Sequence, residues 1–138
     1  MPLQLEIITP MGVFCNKTVE YVSLQSSQGE LGILPDHEPL ITTLSPGELH
    51  FTEPGGDTDN LVTGMGFLQI VNDRVTVVTD LALKDEQIDE TSVEKAIEAA
   101  QEALKKRDEL TREEQAQFEA NLMRQMAVLS FKKKKKTY

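Results

Sequence analysis

Every glycine and proline of this 138-residue chain lies in its first half. The 8 Gly and 6 Pro fall between Pro2 and Gly66, and the 72 residues that follow contain neither. Glycine and proline mark turns and disfavour the interior of a helix, whereas a long stretch without them permits one. We therefore expect a turn-rich β region first and a helical region at the carboxyl end.

Charge divides the chain in a similar way. Residues 1–88 carry 13 acidic and 3 basic side chains, whereas residues 89–138 carry 10 and 11, within a net charge of −9. The last 19 residues contain Arg124 and a run of five lysines but no acidic side chain. Because the acidic chain as a whole repels phosphates, we expect no general nucleic-acid binding.

Composition argues against several classes of protein. One cysteine, Cys15, cannot form a disulfide within the chain, and two histidines cannot by themselves build a rich metal site. No apolar run approaches the ~18 residues of a membrane span, and the first residues carry no secretion or import signal. His37 lies between Asp36 and Glu38 without a nucleophile at recognisable spacing, so we expect a structural or contact role and no enzyme.

Short apolar runs bounded by turn residues recur in the first region at the spacing of a β-sandwich or barrel. The clearest pair, Phe67–Val71 and Arg74–Thr79, is joined by Asn72 and Asp73. These two residues tolerate the positive φ values of a primed hairpin turn. We predict an all-β sandwich that occupies residues 1–86.

The second region has the spacing of two amphipathic helices. A threonine three residues before a glutamate, the pattern of a capping box, begins each helix: Thr91 with Glu94, and Thr111 with Glu114. Apolar stripes at helical spacing follow, consisting of Val93, Ala96, Ile97, Ala100 and Leu104, and of Phe118, Leu122, Gln125 or Met126, and Leu129. We predict an antiparallel two-helix hairpin over residues 87–138, with residues 108–110 as its joint and the lysine run as a solvated, disordered tail.

The joint between the predicted helices contains no Gly and no Pro. Continuing one helix through Asp108 and Thr111 costs only about 0.7 kcal/mol per residue in helix propensity. Straightening loses mainly the burial of one stripe against the other, at roughly 25 cal/mol per Å², which an apolar groove on a partner can replace. We therefore hypothesise a bistable element, folded or extended, although the sequence by itself favours the alternative, an ordinary permanent hairpin.

Several motifs occur in order along almost the whole chain. They are Thr9-Pro10-x-Gly12, Gly29-Glu30-Leu31-Gly32-Ile33-Leu34-Pro35-x-His37-x-Pro39-Leu40, Leu44-x-Pro46-Gly47, Gly66-Phe67 and Val75-Thr76-Val77-Val78-x-Asp80-x-Ala82. In these motifs and in its Ala-rich helical tail, the chain resembles the epsilon subunit of the F-type, proton-translocating ATP synthase. That family has an amino-terminal β-sandwich followed by a two-helix hairpin, the architecture that the residues themselves predict.

The resemblance implies a non-catalytic rotor subunit of the central stalk, at the cytoplasmic face of a bacterial plasma membrane or the equivalent face of a thylakoid. In the family, the sandwich packs on the gamma subunit and on the polar loops of the membrane c-ring, and it couples proton-driven rotation of the ring to ATP synthesis. Association with the membrane would then run only through the complex. Of the ring-facing residues, Glu30 and His37 match and become our contact candidates.

The helical tail of many family members reaches the alpha/beta catalytic head and restrains ATP hydrolysis, with basic residues against acidic loops of the beta subunits. The resemblance assigns this contact to the basic residues available in the second region: Arg112, Arg124, Lys132, Lys133, Lys134, Lys135 and Lys136. The competing interpretation is a stand-alone β-sandwich interaction module whose basic tail binds an acidic partner.

Some bacterial members of the family bind a nucleotide through Ile/Leu-Asp-x-x-Arg-Ala at the first helix. Here Ile88 and Asp89 match, but Ser92 stands at the arginine position, and only a three-residue insertion brings Lys95 and Ala96 into register. Ile88, Asp89, Lys95 and Ala96 are therefore the candidate nucleotide contacts. Because the arginine is missing from its usual position, we expect no cofactor.

Overall fold

The computed structural model describes residues 2–137, with side chains described through Lys134. Its contacts divide the chain into two compact units that meet between Lys84 and Asp85. The boundary predicted after residue 86 lies two residues further along the chain. The first unit is built from strands and the second from helices.

The first unit is a ten-stranded sheet around one apolar core. Its strands are β1 (Leu3–Thr9), β2 (Gly12–Val19), β3 (Tyr21–Ser26), β4 (Gly29–Ile33), β5 (Leu40–Leu44), β6 (Gly47–Thr52), β7 (Thr58–Thr63), β8 (Gly66–Val71), β9 (Arg74–Thr79) and β10 (Ala82–Leu83). Neighbouring strands follow the order β10-β7-β6-β3-β5-β8-β9-β1-β2, and β4 pairs with β3 beside this path. The predicted sandwich is confirmed.

Strand pairing explains which side chains form the core. Successive side chains of a strand point to opposite faces, so one face of each strand is buried. The pairs are antiparallel except for β1 and β9, which run parallel from Gln4 beside Arg74 to Ile8 beside Val78. The buried apolar residues include Leu3, Leu5, Ile7, Val19, Val22, Leu24, Ile33, Leu49, Phe51, Leu61, Leu68, Ile70, Val75 and Val77.

The hairpin predicted between Phe67 and Thr79 is confirmed. β8 and β9 are joined by Asn72 at φ 50° and Asp73 at φ 61°, both in the left-handed region. Positive φ at both central residues is the requirement of a type I′ turn, whose twist matches that of the flanking strands.

A corner of the sandwich explains the motif around Gly66. A Cβ atom built on Gly66 would lie 1.8 Å from the carbonyl oxygen of Val78, so no side chain fits there. Beside it, the Thr79 hydroxyl accepts the N–H of Gly64 and donates to the Met65 carbonyl, each at 3.1 Å. The motif residues therefore hold the chain where it turns into β8.

The second unit contains α1 (Glu90–Lys105) and α2 (Arg112–Thr137), with short 3₁₀ turns at Asp85–Gln87 and Arg107–Glu109. The prediction that Thr91 caps the first helix is wrong. Asp89 occupies the cap, and its Oδ1 accepts the N–H of Thr91 at 3.1 Å. Both residue types can cap a helix, but a carboxylate also interacts favourably with the positive end of the helix dipole.

The second predicted capping box is confirmed. The N–H of Glu114 donates to Thr111 Oγ1 at 3.1 Å, and the N–H of Thr111 donates to Glu114 Oε1 at 3.0 Å. In addition, the side chain of Gln115 reaches back to the joint, where its Nε2 donates to the carbonyl oxygen of Arg107 at 2.9 Å. The joint is therefore a hydrogen-bonded corner over residues 107–111, slightly longer than the predicted 108–110.

α1 and α2 pack on each other, as predicted for a hairpin. Val93 and Ala100 are buried as expected, but Met126 is 52% exposed, while Val128 and Phe131 are buried. The prediction that the lysine run is disordered is wrong, because α2 continues through it to Thr137, whereas Lys133 and Lys134 are exposed to solvent as expected. The longer helix extends the buried side of α2 beyond the predicted stripe, to Phe131.

Candidate interaction surfaces

The loop that carries His37 joins β4 to β5 and is fastened to the β8–β9 turn. Asp36 adopts φ 66°, and its N–H donates to Asp73 Oδ1 at 2.7 Å. His37 Nδ1 donates to the carbonyl oxygen of Glu38 at 2.7 Å, which requires a proton on that nitrogen. The first of these hydrogen bonds joins the loop to the β8–β9 turn, and the second lies within the loop.

Glu30, the other predicted ring contact, lies at the beginning of β4. It is exposed and is paired across the ladder with Gln25 of β3. His37 follows the far end of the same strand, and three residues of extended chain between Glu30 and Ile33 alone span about 10 Å. The fold does not bring Glu30 and His37 together; it spaces them along β4 and the loop that follows it.

An apolar row crosses the outer face of the sheet, and sequence reasoning did not identify it. Ladder partners connect its members across β8, β9, β1 and β2: Phe67 beside Val78, Val78 beside Ile8, and Ile8 beside Val13. Ile41 of β5 lies on the same face, diagonally from Phe67. Ile41 is 72% exposed, Val13 61% and Phe67 51%. We call these five residues the apolar row.

A sequence signal for the apolar row does exist. Ile7 with Ile8 and Val77 with Val78 are consecutive apolar residues within strands. Because neighbours in a strand point to opposite faces, one member of each pair must lie on the outer face. Ile7 and Val77 are fully buried, which leaves Ile8 and Val78 outside.

The basic residues of α2 do not form one equivalent set. Arg112 begins the helix and is exposed, Arg124 is half-buried, and Lys133 and Lys134 are exposed. Lys132 differs, because its side chain is only 19% exposed and its Nζ contacts Asp85. Arg112 and Lys132 are about 30 Å apart along the helix axis at 1.5 Å per residue. The side chains of Lys135 and Lys136 lie outside the described residues.

The residues that matched the nucleotide motif are engaged in helix formation. Asp89 Oδ1 accepts from Thr91 and Oδ2 accepts from the Ser92 hydroxyl at 2.9 Å. The hydrogen bond from Ser92 lowers the pKa of Asp89 below its usual value. Ile88 is buried, Ala96 is half-buried and Lys95 is exposed. The serine at the arginine position thus serves the cap of α1.

Cys15 lies in β2 and is half-buried. Burial raises the pKa of its thiol above the usual value, and this effect exceeds the opposite one of Lys17. A thiol in this setting stays protonated at neutral pH and is a poor nucleophile.

Comparison with known proteins identifies relatives over most of the chain. The family described as ATP synthase, Delta/Epsilon chain, beta-sandwich domain matches residues 2–85. The ATP synthase epsilon chain of Herpetosiphon aurantiacus is 41% identical over 132 residues, which cover 94% of this chain and 96% of that protein. The epsilon chain of Carboxydothermus hydrogenoformans is 38% identical over 105 residues, covering 76% of this chain and 78% of that protein.

Solved structures share the fold. A chain in the cryo-EM structure of the Euglena gracilis mitochondrial ATP synthase matches with a TM-score of 0.77 at 24% identity, over 94% of this chain and 81% of that chain. A chain in the central stalk and c-ring structure of the Tetrahymena thermophila mitochondrial ATP synthase matches with a TM-score of 0.52 at 12% identity. The match covers 62% of this chain and 69% of that chain. At these identities the likeness concerns the fold alone.

The fold defines the class of protein: a β-sandwich with an exposed apolar row, followed by a helical hairpin. The sequence matches identify the family: the chain belongs to the ATP synthase epsilon chains. The resemblance inferred from the motifs is thereby confirmed. Within the described residues, neither helix is long and apolar enough to cross a membrane, and no cluster of His, Cys, Asp or Glu is placed to hold a metal ion.

Proposed function

We propose that this chain is a non-catalytic central-stalk subunit that couples rotation of the c-ring to ATP synthesis through the gamma subunit. The observation that carries the proposal is the apolar row, which crosses five strands of the sheet and leaves Ile41, Val13 and Phe67 more than half exposed. A contiguous apolar surface on a protein with a net charge of −9 is typical of a protein-binding face. Family membership supplies gamma as its partner.

The same proposal gives Glu30 and His37 the contact with the polar loops of the c-ring. Glu30 projects from a paired strand, and the His37 loop is held by the bond between Asp36 and Asp73. Contacts on ordered backbone suit a part that transmits torque, because they do not have to be ordered again at each step of rotation. Their separation along β4 implies a ring-facing surface at least about 10 Å across.

A role without catalysis agrees with the placement of the reactive side chains. Cys15 lies in β2 with a raised pKa, and His37 lies in the β4–β5 loop with Nδ1 bonded to Glu38. A nucleophile and its base need to lie within hydrogen-bond reach of each other, and these two side chains make other contacts. Catalysis then belongs to other subunits of the complex.

We propose that the helical hairpin regulates ATP hydrolysis by the catalytic head. Arg112, Arg124, Lys132, Lys133, Lys134, Lys135 and Lys136 would meet acidic loops of the beta subunits. The support is a helix whose basic residues are spread over about 30 Å, from the exposed Arg112 to the lysine run, behind a joint without Gly or Pro. An extended α2 could place that charge along an acidic surface.

We propose that the chain holds no regulatory nucleotide. Both carboxylate oxygens of Asp89 are used at the cap of α1, and Ser92 offers a hydroxyl where the motif has a guanidinium. Arginine binds phosphate through a rigid fork of donors that serine lacks. Thermal unfolding of the full chain with and without millimolar ATP tests this, and a rise in the melting temperature with ATP would refute it.

We place the protein at the cytoplasmic face of the membrane, attached through the complex. The absence of a spanning helix among the described residues agrees with a peripheral position. The thylakoid counterpart of that face is the alternative.

Copurification is the first test of the proposed function. A tagged full chain should recover alpha, beta, gamma and c subunits from membranes of its source. A second variant that ends after Glu86 removes the hairpin but keeps the first unit, and it should still bind gamma. Recovery of an unrelated acidic protein without these subunits would favour the stand-alone interaction module instead.

ATPase activity then separates coupling from regulation. If the hairpin inhibits, the complex carrying the variant that ends after Glu86 hydrolyses ATP faster than the complex with the full chain. An unchanged rate would discard the inhibitory role and leave the coupling role in place.

A further inference from the structure

Asp73 makes two contacts beyond the turn that contains it. It lies between β8 and β9 at φ 61°, and its carbonyl oxygen accepts the N–H of Gln4 of β1 at 2.9 Å. Its Oδ1 accepts the N–H of Asp36 at 2.7 Å, which joins the turn to the loop between β4 and β5. The backbone of Asp73 is therefore fixed by the hairpin and by β1, while its side chain binds the residue that precedes His37.

The β4–β5 loop, residues 34–39, has few other attachments. Outside the ladders, none of the backbone–backbone hydrogen bonds of the described residues involves this loop. Two of its six residues are prolines, which have no N–H to donate. The bond from His37 Nδ1 to the carbonyl oxygen of Glu38 lies within the loop. In the part of the chain that the structure describes, the bond between Asp36 and Asp73 is thus the hydrogen bond that joins this loop to another element.

The backbone conformation of Asp36 depends on this bond. Asp36 has a φ of 66°, in the left-handed region, and its side chain is exposed. A residue with a side chain stays in this region only where its surroundings hold it there. The contact that does so is the hydrogen bond from its own N–H to Asp73. Because the backbone angles of Asp36 determine the direction of the chain that follows, the same bond sets the position of His37.

The hairpin that holds the loop also bears part of the apolar row. Phe67 and Val78 are ladder partners in β8 and β9, and the turn of this hairpin contains Asp73. The antiparallel register is unbroken from Phe67 to Val71, directly before the turn. The hairpin therefore connects the loop that carries His37 to the surface that we assign to gamma.

We propose that Asp73 is a positioning residue, which holds His37 in the orientation for contact with the c-ring and links that contact to the β8–β9 hairpin. The inference rests on the proposed function, which gives His37 that partner. Asp73 itself needs no contact with the ring, since it acts through the N–H of Asp36. Without its acceptor oxygen, the loop yields when the ring pushes on His37, so less of the motion reaches the sandwich.

The positioning role is tested first in the free full chain. Asp73→Gly removes the acceptor, but glycine adopts a positive φ readily, so the turn is kept. Asp73→Asn keeps an acceptor oxygen and also tolerates this φ. Asn72→Gly is the matched control, since it makes the same change at the neighbouring turn residue, which has a φ of 50°. Amide hydrogen exchange of Asp36, followed by NMR, should be at least about tenfold faster in Asp73→Gly and within about twofold of the unchanged chain in the other two variants.

Equal acceleration in Asp73→Gly and Asn72→Gly would overturn the proposal, because flexibility of the turn would then explain it. Exchange in Asp73→Asn as fast as in Asp73→Gly would exclude the acceptor oxygen as the cause. If Asp73→Gly loses its β-sheet circular dichroism, Asp73→Lys replaces it, since lysine keeps a side chain but offers no acceptor. The same rise of about tenfold is expected there, and a change of less than about twofold would refute the role of Asp73.

The effect on coupling is tested in the assembled ATP synthase, reconstituted in lipid vesicles with each variant. We expect His37→Ala and Asp73→Gly each to lower the number of protons pumped per ATP hydrolysed at least about twofold. The double variant should be no worse than His37→Ala, because Asp73 acts through His37. Asp73→Asn and Asn72→Gly should match the unchanged chain, and additive losses in the double variant would overturn the proposal.

Binding to gamma identifies the partner of the loop. Asp73→Gly should change the affinity for a gamma-containing head by less than about twofold, since the apolar row is intact. A loss of tenfold or more would place the loop in the gamma interface and refute its contact with the ring.

Failure of the proposed function and failure of this inference give different results. Unchanged proton pumping in His37→Ala would refute the ring contact of the proposed function, and with it the effect of Asp73 on coupling. Unchanged exchange of the Asp36 amide in Asp73→Gly would refute the positioning role, whether or not His37→Ala lowers proton pumping.

Discussion

Lys17 of β2 and Glu53, which follows β6, form an ion pair of 3.3 Å between strands that are not neighbours in the sheet. Lys17 Nζ also lies 5.7 Å from the ring centroid of Phe51, a buried residue of β6. β2 is the last strand in the sheet order and is not paired with β6, so this contact links two strands that no ladder joins directly. The hydrogen bond from Lys17 to Glu53, together with the charge of Glu53, raises the pKa of Lys17.

We expect Glu53→Gln to destabilise the chain by less than about 1 kcal/mol at pH 7, since the pair is partly exposed. Because the pKa of Lys17 is raised in the folded chain, the ion pair contributes its full stability below the usual lysine pKa of 10.5. This stability is lost as the pH rises through the pKa of Lys17 in the folded chain. Urea unfolding at pH 7 and at increasing pH above 10.5 measures this. Lys17→Met should cost more than Glu53→Gln, because it also removes the contact with Phe51. A difference between Glu53→Gln and the unchanged chain that does not shrink as the pH rises above 10.5 would contradict the assignment.

Gly66→Ala should destabilise the sandwich by about 3 kcal/mol or more, because its Cβ would lie 1.8 Å from a backbone oxygen and the strands would have to shift. Thermal or urea unfolding of the full chain provides the measurement. Gly56→Ala is the matched control: it also has a positive φ, but none of the described atoms lies within 4 Å of its Cβ position. It should show only conformational strain, about 1–2 kcal/mol. Equal losses for the two variants would rule out the steric explanation.

Ile41→Ser and Phe67→Ser should each weaken binding to gamma about tenfold or more, because central apolar side chains dominate protein interfaces. Folding stability should change by less than about 1 kcal/mol, since both side chains are more than half exposed. Titration calorimetry against ATP synthase head depleted of epsilon but containing gamma would show the effect. Gln69→Ala lies on the same strand and face as Phe67 and is the control. Unchanged affinity for both serine variants would move the gamma contact to another surface.

Asp89→Asn should loosen the first turn of α1, detected as faster amide hydrogen exchange at Thr91 and its neighbours. Because the pKa of Asp89 is lowered in the folded chain, its carboxylate stabilises the helix fully above the usual aspartate pKa of 3.8. This stability is lost as the pH falls through the pKa of Asp89 in the folded chain. The exchange rates of the unchanged chain and the variant should therefore be similar in very acidic solution and different at pH 7. Ser92→Ala should move the midpoint of this loss toward the usual aspartate pKa, since Ser92 is the main cause of the shift. A midpoint that does not move would assign the shift to another group.

Local chemistry made part of the fold predictable. Asn72 and Asp73 between two alternating strands specify a hairpin turn, and Thr111 with Glu114 specifies a helix start, because every group involved is close in sequence. The same rules placed the first cap wrongly. Asp89 and Thr91 both satisfy the sequence requirement, and only the structure shows that Asp89 accepts from Thr91.

Long-range contacts were beyond sequence reasoning. The apolar row exists only once the ladders bring Ile41, Phe67 and Val13 onto one face. Lys132 and Asp85 are 47 residues apart, and nothing in a run of lysines distinguishes the one that is withdrawn from water. The family motifs supplied Glu30 and His37 as candidates, but their spacing along β4 required the strand boundaries.

The parallel pairing of β1 with β9 has a consequence for folding during synthesis on the ribosome. β1 is made first, yet its neighbour on this side spans Arg74–Thr79 and emerges about seventy residues later. Contacts between distant segments form slowly, because a long loop must close before they stabilise anything. Until β9 has been synthesised, Leu3, Leu5 and Ile7 therefore lack the neighbouring strand on that side of β1. The helical hairpin, in contrast, needs only contacts between its own two helices to fold. The amino-terminal unit is synthesised early but completed late, which makes the interval before residue 79 emerges the period of greatest exposure to chaperones and to aggregation.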